Sequence, residues 1–310
     1  MKSILDDFKM AFRSGNILNQ IIVINVVVFI AINTLLSVFM TLGGQRELYE
    51  VIYNYLALPS NTNTLLTQPQ SLITYMFLHR GIFHTLFNML FLYWFGRIIT
   101  EYLGQNKILG LYVWGGIAGG LLYILVYNLF PFYQGVAEIA SLAGASAGVL
   151  AVVVGAATFQ PDFRVNLILL GPVKIKYIAA FVVISSLYNS IGSNAGGEIA
   201  HLGGALLGYL FMTQLQKGND WSKPVVNFIH WFKSFFKPQP KIKVSYKNEE
   251  KFGTKTKRKS SGSRRTKTKA KSAETSSQAE IDAILDKISE KGYDALSKEE
   301  KQKLFNASKQ

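Results

Sequence analysis

The chain has 310 residues, of which 49% are hydrophobic, with 33 Lys+Arg against 19 Asp+Glu, 4 His and no Cys. So apolar a chain is not wholly disordered, and the lack of cysteine excludes a disulfide scaffold and thiolate zinc sites. The formal charge of +14 is concentrated in residues 217–274, which hold 17 basic and 4 acidic residues, while 1–216 hold only 10 and 8.

Residues 1–17 are a short basic N-terminus with Lys2, Lys9 and Arg13. Six apolar segments follow, at about 18–39, 82–99, 108–130, 140–159, 175–190 and 198–215. A helix of roughly 20 apolar residues crosses a hydrocarbon core of about 30 Å, so these predict six spans, the fifth being the shortest. The first is no cleavable signal, since it lacks a small-x-small site and precedes further spans. Cations alternate between loops. Arg97 and Lys107 bound one, and Arg164, Lys174 and Lys176 lie in another, whereas 131–139 and 191–197 have none. The positive-inside rule then predicts cytoplasmic termini. Residues 40–78 are too long for a plain connector and predict folded structure at the outer face.

Strongly polar side chains within spans are costly and call for a function. His84 and Asn88 stand at i and i+4 on the second span, hence on one face. Ser146 lies early in the fourth, within Gly144-Ala145-Ser146-Ala147-Gly148, and His201 lies early in the sixth. These three spans run in the same direction, so the polar residues share one depth, on the order of 10 Å below the outer surface. That grouping suits acyl transfer. Ser146 is the candidate nucleophile and neutral His201 its base. The Ser146 N–H, the Asn88 amide and the His84 ring are candidate oxyanion donors. Glu198 lies three residues before His201; a Ser-His dyad is the simpler arrangement, with a third member left open. Small residues give the helices a way to meet. Gly204 and Gly208 line one face of the sixth span, and Ala143, Ala147, Ala151 and Gly155 form a matching stripe on the fourth. Such faces pack backbone to backbone and could bring Ser146 within hydrogen-bond reach of His201. Ser185, Ser186 and Ser190 read as packing residues, and His79 and Arg80 as structural or interfacial ones.

Residues 217–236 mix aromatics with Lys and predict a helix lying on the inner leaflet. Residues 237–278 predict a disordered basic linker that favours anionic lipid over nucleic acid. Residues 279–310 predict a small helical hairpin. Ile281, Ile284, Leu285 and Ile288 follow helical spacing, Gly292 ends that helix, and Ser297 with Glu300 forms a capping box opening the next. The hairpin is small enough to need a partner, whose identity is open.

His84-x-x-x-Asn88, Gly144-x-Ser146 and Ala200-His201-x-x-Gly204-x-x-x-Gly208, in this order over about 18–216, resemble the rhomboid family of intramembrane serine proteases. Glu101-Tyr-Leu-Gly104 resembles the exit of the family's second helix. The resemblance implies an all-α polytopic membrane protein, a six-transmembrane-helix bundle with the basic tail and hairpin appended. It implies Ser146 as nucleophile, His201 as base, and His84, Asn88 and the Ser146 amide around the oxyanion, with Gly144 before the serine. It implies a membrane-embedded hairpin in the first outer loop, no cofactor and no metal. Substrates would be other membrane proteins cut in or near their spans, in the plasma (inner) membrane of a bacterium. The sequence departs from the family at Ala147, where a glycine is common, at Leu150, where an aromatic is frequent, and at Gln70-Ser71, where Trp-Arg is frequent. The alternative is a non-catalytic relative that binds membrane helices. A transporter is disfavoured, because no Asp, Glu, Lys or Arg lies deep in a span.

Overall fold

The structure is a computed structural model that describes residues 16–167, 171–235, 282–288 and 296–307. Lys2, Lys9, Arg13 and the linker 237–278 lie outside the described residues. The chain forms two compact units, Met1–Pro240 and Lys241–Gln310.

The first unit is a helical bundle. Helix α1 spans Ile17–Leu42, is capped by the Asn16 side chain and is π-helical over Phe29–Leu36. The loop expected to be folded contains α2 (Arg46–Leu56), β1 (Leu58–Pro59), α3 (Thr62–Thr67) and α4 (Ser71–Thr74). Helix α5 (Ile82–Leu103) and helix α6 (Gln105–Leu129) are separated by Gly104 alone, whose φ of 87° reverses the chain. Residues with a Cβ resist that conformation. Then come α7 (Pro131–Ala137), β2 (Ser141–Leu142), α8 (Ser146–Phe159), a β3–β4 hairpin (Arg164–Leu167 and Gly171–Lys174), α9 (Ile175–Asn189), α10 (Ala195–Gln216) and α11 (Ser222–Ser234).

Helices therefore occupy all six predicted segments. By length and composition α1, α5 and α6 can cross a membrane, and α8 and α9 are shorter apolar helices. The fourth segment differs most from expectation. Its helix starts at Ser146, not near 140, because Ser141 and Leu142 pair antiparallel with Pro59 and Leu58. Gly144 N–H then donates to the Tyr75 carbonyl at 3.0 Å. These outside partners satisfy the backbone that a helix would otherwise pair internally. The basic loop before α9 likewise folds into a β-hairpin, where Lys174 and Lys176 both reach Asp162 at 2.9 Å.

Helices α6, α8 and α10 form the centre, and the small residues decide how near they come. A Cβ at Gly204 would stand 2.8 Å from the Ala147 carbonyl carbon, and one at Gly208 would stand 2.8 Å from the Ala151 Cα. A Cβ at Gly119 on α6 would meet both the Ala147 Cβ and the Ala200 carbonyl oxygen at 2.5 Å. Three backbones thus meet at one crossing.

Helix α11 is tied to α6. Lys107 pairs with Asp220 and donates to Ser222 Oγ at 3.2 Å, and Trp114 Nε1 donates to the Trp221 carbonyl at 2.9 Å. Its Phe228, Trp231 and Phe232 stay exposed.

In the second unit, residues 282–288 are helical and α12 covers Lys298–Ala307. The capping box is present. Ser297 N–H donates to the Glu300 carboxylate at 2.7 Å, and Glu300 N–H donates back to Ser297 Oγ at 3.3 Å. Lys287 reaches the same carboxylate at 2.9 Å. The Lys287 ammonium and the Ser297 N–H together hold Glu300 at a pKa of about 2. Ile281 and Gly292 lie outside the described residues.

Candidate active site

Ser146 is the first residue of α8, partly exposed, and Gly144 precedes it at φ 151°. At a helix start the first N–H groups have no intrahelical acceptor and carry the positive end of the dipole. The backbone beside Ser146 thus presents donors where a carbonyl oxygen could become an anion. The Gly144 φ lies where a side chain is strained, and a Cβ there would stand 3.1 Å from His84 Cε1 and 3.5 Å from Ser146 Oγ. The α-carbon of Gly144 is therefore flanked by the ring of His84 and the hydroxyl of Ser146.

His84 is an exposed residue in the first turn of α5, edge-on to His79 with ring centroids 5.5 Å apart. Asn88, one turn later and buried, donates from Nδ2 to the His84 carbonyl at 2.9 Å. An amide nitrogen has two donors, so one remains for another acceptor. His79 is fully buried, edge-on to Phe29. Arg80 lies over the Tyr53 ring at 5.4 Å and donates to Ser141 Oγ at 3.3 Å, bracing the strand that leads to Ser146.

His201 stands in the second turn of α10. It directly follows Ala200, whose carbonyl faces Gly119 at the three-helix crossing. Ser146 directly precedes Ala147, so Ser146 and His201 adjoin the same crossing from two helices. Among the described residues, no hydrogen bond joins Ser146 to His201. The packing expected from the small residues is present, while the hydrogen bond it was expected to allow is not formed. The histidine is held on its other side. Its Nδ1 lies 3.1 Å from Glu198 Oε2 and 3.1 Å from Ser186 Oγ.

Sequence reasoning left Glu198 open and took Ser186 for a packing residue. Ser186 is indeed buried, at 2% exposure, yet its hydroxyl faces the imidazole. The spacing of Glu198 and His201 at i and i+3 was a usable signal. No local signal marks Ser186, because its contact crosses between helices.

A cavity of about 660 Å³ is lined among others by Arg80, Tyr133, Ser141, Ala143, Asn194 and Gly197; it reaches the segments that lead into Ser146 and His201, but neither residue lines it. It runs along the strand Ser141–Leu142 that precedes Ser146. Among the described residues no cluster of His, Asp and Glu suits a metal ion.

The family model described as the Rhomboid domain matches residues 66–217. A family of unknown function (DUF6576) matches residues 268–310. The chain is also similar to the RHOMBOID-like protein 12, mitochondrial, of Arabidopsis thaliana. It is 28% identical to that protein over 159 residues, 48% of this chain and 47% of the relative. The matched stretch thus spans about half the length of that relative.

Proposed function

The chain belongs to the rhomboid family through residues 66–217, and on that premise we propose that it is an intramembrane serine endopeptidase. The observation that carries this reading is the shared crossing. Ser146 opens α8 next to Ala147, His201 follows Ala200 on α10, and the Ala147 Cβ and the Ala200 carbonyl both press on Gly119.

In this reading His201 Nε2 accepts the Ser146 proton as Oγ bonds to the scissile carbonyl carbon. The oxyanion takes hydrogen bonds from the Ser146 N–H, His84 and Asn88. The C–N bond then breaks as His201 returns the proton to the leaving amine. Water, activated by the same imidazole, releases the acyl group. Closing the Ser146–His201 hydrogen bond is then part of substrate engagement, since such contacts often tighten only in the complex.

Substrates are membrane proteins whose spans unwind easily, with Gly, Pro or polar residues near the cut, because a helix hides its carbonyls in hydrogen bonds. The enzyme has six spans in the plasma (inner) membrane with both termini cytoplasmic, a reading supported by the alternation of loop cations. The basic tail favours anionic lipid.

The test is fluorophosphonate labelling of purified protein beside Ser146→Ala and His201→Ala. Labelling of wild type that both variants lose is expected. A folded wild type that never labels would instead favour a non-catalytic membrane-helix binder.

A further inference from the structure

We propose that Glu198, assisted by Ser186, is the positioning residue that holds His201 for its role as base to Ser146. This rests on the endopeptidase reading above and goes beyond its two residues.

Two side chains converge on His201 Nδ1. Glu198 Oε2 and Ser186 Oγ both lie 3.1 Å from it. An ionised carboxylate only accepts hydrogen bonds, so Nδ1 carries the ring proton and Nε2 keeps its lone pair. That is the tautomer a base acting at Nε2 requires. The opposite tautomer would put a lone pair against the carboxylate and leave no base for Ser146.

Two elements share the grip. Glu198 comes from the first turn of α10, one turn before His201, and Ser186 comes from α9. Fixing the ring from two helices restrains both its tilt and its rotation. The side chains of His201 and Glu198 are each 18% exposed, so their interaction is weakly screened by water. The anion is also placed where a helix N-terminus favours negative charge. Asn194 adds a further polar neighbour to the carboxylate.

During attack the Ser146 proton moves to Nε2 and the ring becomes a cation. Glu198 stabilises that cation and remains ionised; its own proton count does not change. A role confined to packing would not need a carboxylate, since Ser186 is already buried beside the ring.

The experiment uses the full chain with Glu198→Ala, Glu198→Gln, Glu198→Asp and Ser186→Ala. Cleavage of a transmembrane reporter gives kcat and KM, thermal unfolding gives Tm, and NMR of labelled histidine reads the Nδ1–H. We expect kcat to fall about 10- to 100-fold in Glu198→Ala and Glu198→Gln, with KM and Tm nearly unchanged. Glu198→Asp recovers part of the loss, and Ser186→Ala loses less. The low-field Nδ1–H resonance of His201 disappears in Glu198→Ala. Unchanged kcat, a loss confined to KM or Tm, or a resonance that survives Glu198→Ala overturns the proposal while leaving the endopeptidase reading intact. A wild type that neither cleaves nor labels at Ser146, yet loses the resonance in Glu198→Ala, overturns both and leaves the contact as structural only.

Discussion

Gly144 shows how one residue can constrain the proposed reactive centre. Its φ of 151° is sparsely populated by residues with a side chain, and an added Cβ would press on His84. Holding another residue there costs about 1–3 kcal/mol. Gly144→Ala is therefore expected to slow fluorophosphonate labelling about 10-fold or more, consistent with a cost of that size. Its Tm should fall less than the labelling rate. Equal labelling rates would show that the glycine matters only for the chain's path. Gly144 was readable from its place two residues before Ser146; the Ser186–His201 contact was not. Fifteen positions separate those two, and the rotation of α9 about its axis, which no local pattern encodes, decides which serine faces the imidazole.

Between elements, the central helices are close because glycine removes the atoms that would part them. Gly204→Ala would drive a methyl into the Ala147 carbonyl, whereas a Cβ at Gly81 meets nothing within 4 Å. Overpacking of this kind costs about 1–3 kcal/mol. Thermal unfolding in detergent should place Gly204→Ala well below wild type and Gly81→Ala close to it. The tie between α6 and α11 is electrostatic, and its pH dependence has a definite sign. Burial raises the Asp220 carboxyl, but the Lys107 ammonium and Ser222 outweigh it and hold it below its ordinary value of 3.8. The folded state thus binds that proton more weakly than the unfolded chain does. The stabilisation is complete above about 3.8 and is lost as pH falls through the lower folded-state value. Fluorescence of Trp221 should report loosening of α11 only in strong acid, whereas Asp220→Asn should loosen it at neutral pH. The sequence anticipated helices at both places. The early β2 pairing that delays α8 to Ser146 was not legible, since its partner lies more than 80 residues earlier in the chain.

At the scale of the molecule, the chain divides into two compact units near residue 240, and in the sequence the cations cluster around that boundary. Ending the chain after Pro240 should leave cleavage of a detergent-solubilised reporter nearly unchanged, because every residue of the proposed site lies in the first unit. The same truncation should weaken association of the solubilised protein with anionic vesicles, by about 1 kcal/mol for each cation lost near the surface. That difference should shrink as salt screens it. Activity that collapses on truncation would instead make the second unit part of the catalytic apparatus.

Six apolar segments, their order, the packing glycines, and Ser146, His201, His84 and Asn88 as candidates were legible in the sequence alone. Hydropathy and small-residue spacing are local properties, and the cost of burying polar groups in lipid makes the exceptions conspicuous. What only the tertiary structure decided is how these positions face one another. Gly119 joins Ala147 and Ala200 at one crossing, Ser146 starts a helix instead of sitting inside one, and Nδ1 of His201 is occupied by Glu198 and Ser186. Each depends on helix rotation and on contacts between distant parts of the chain, which emerge only when every element packs at once.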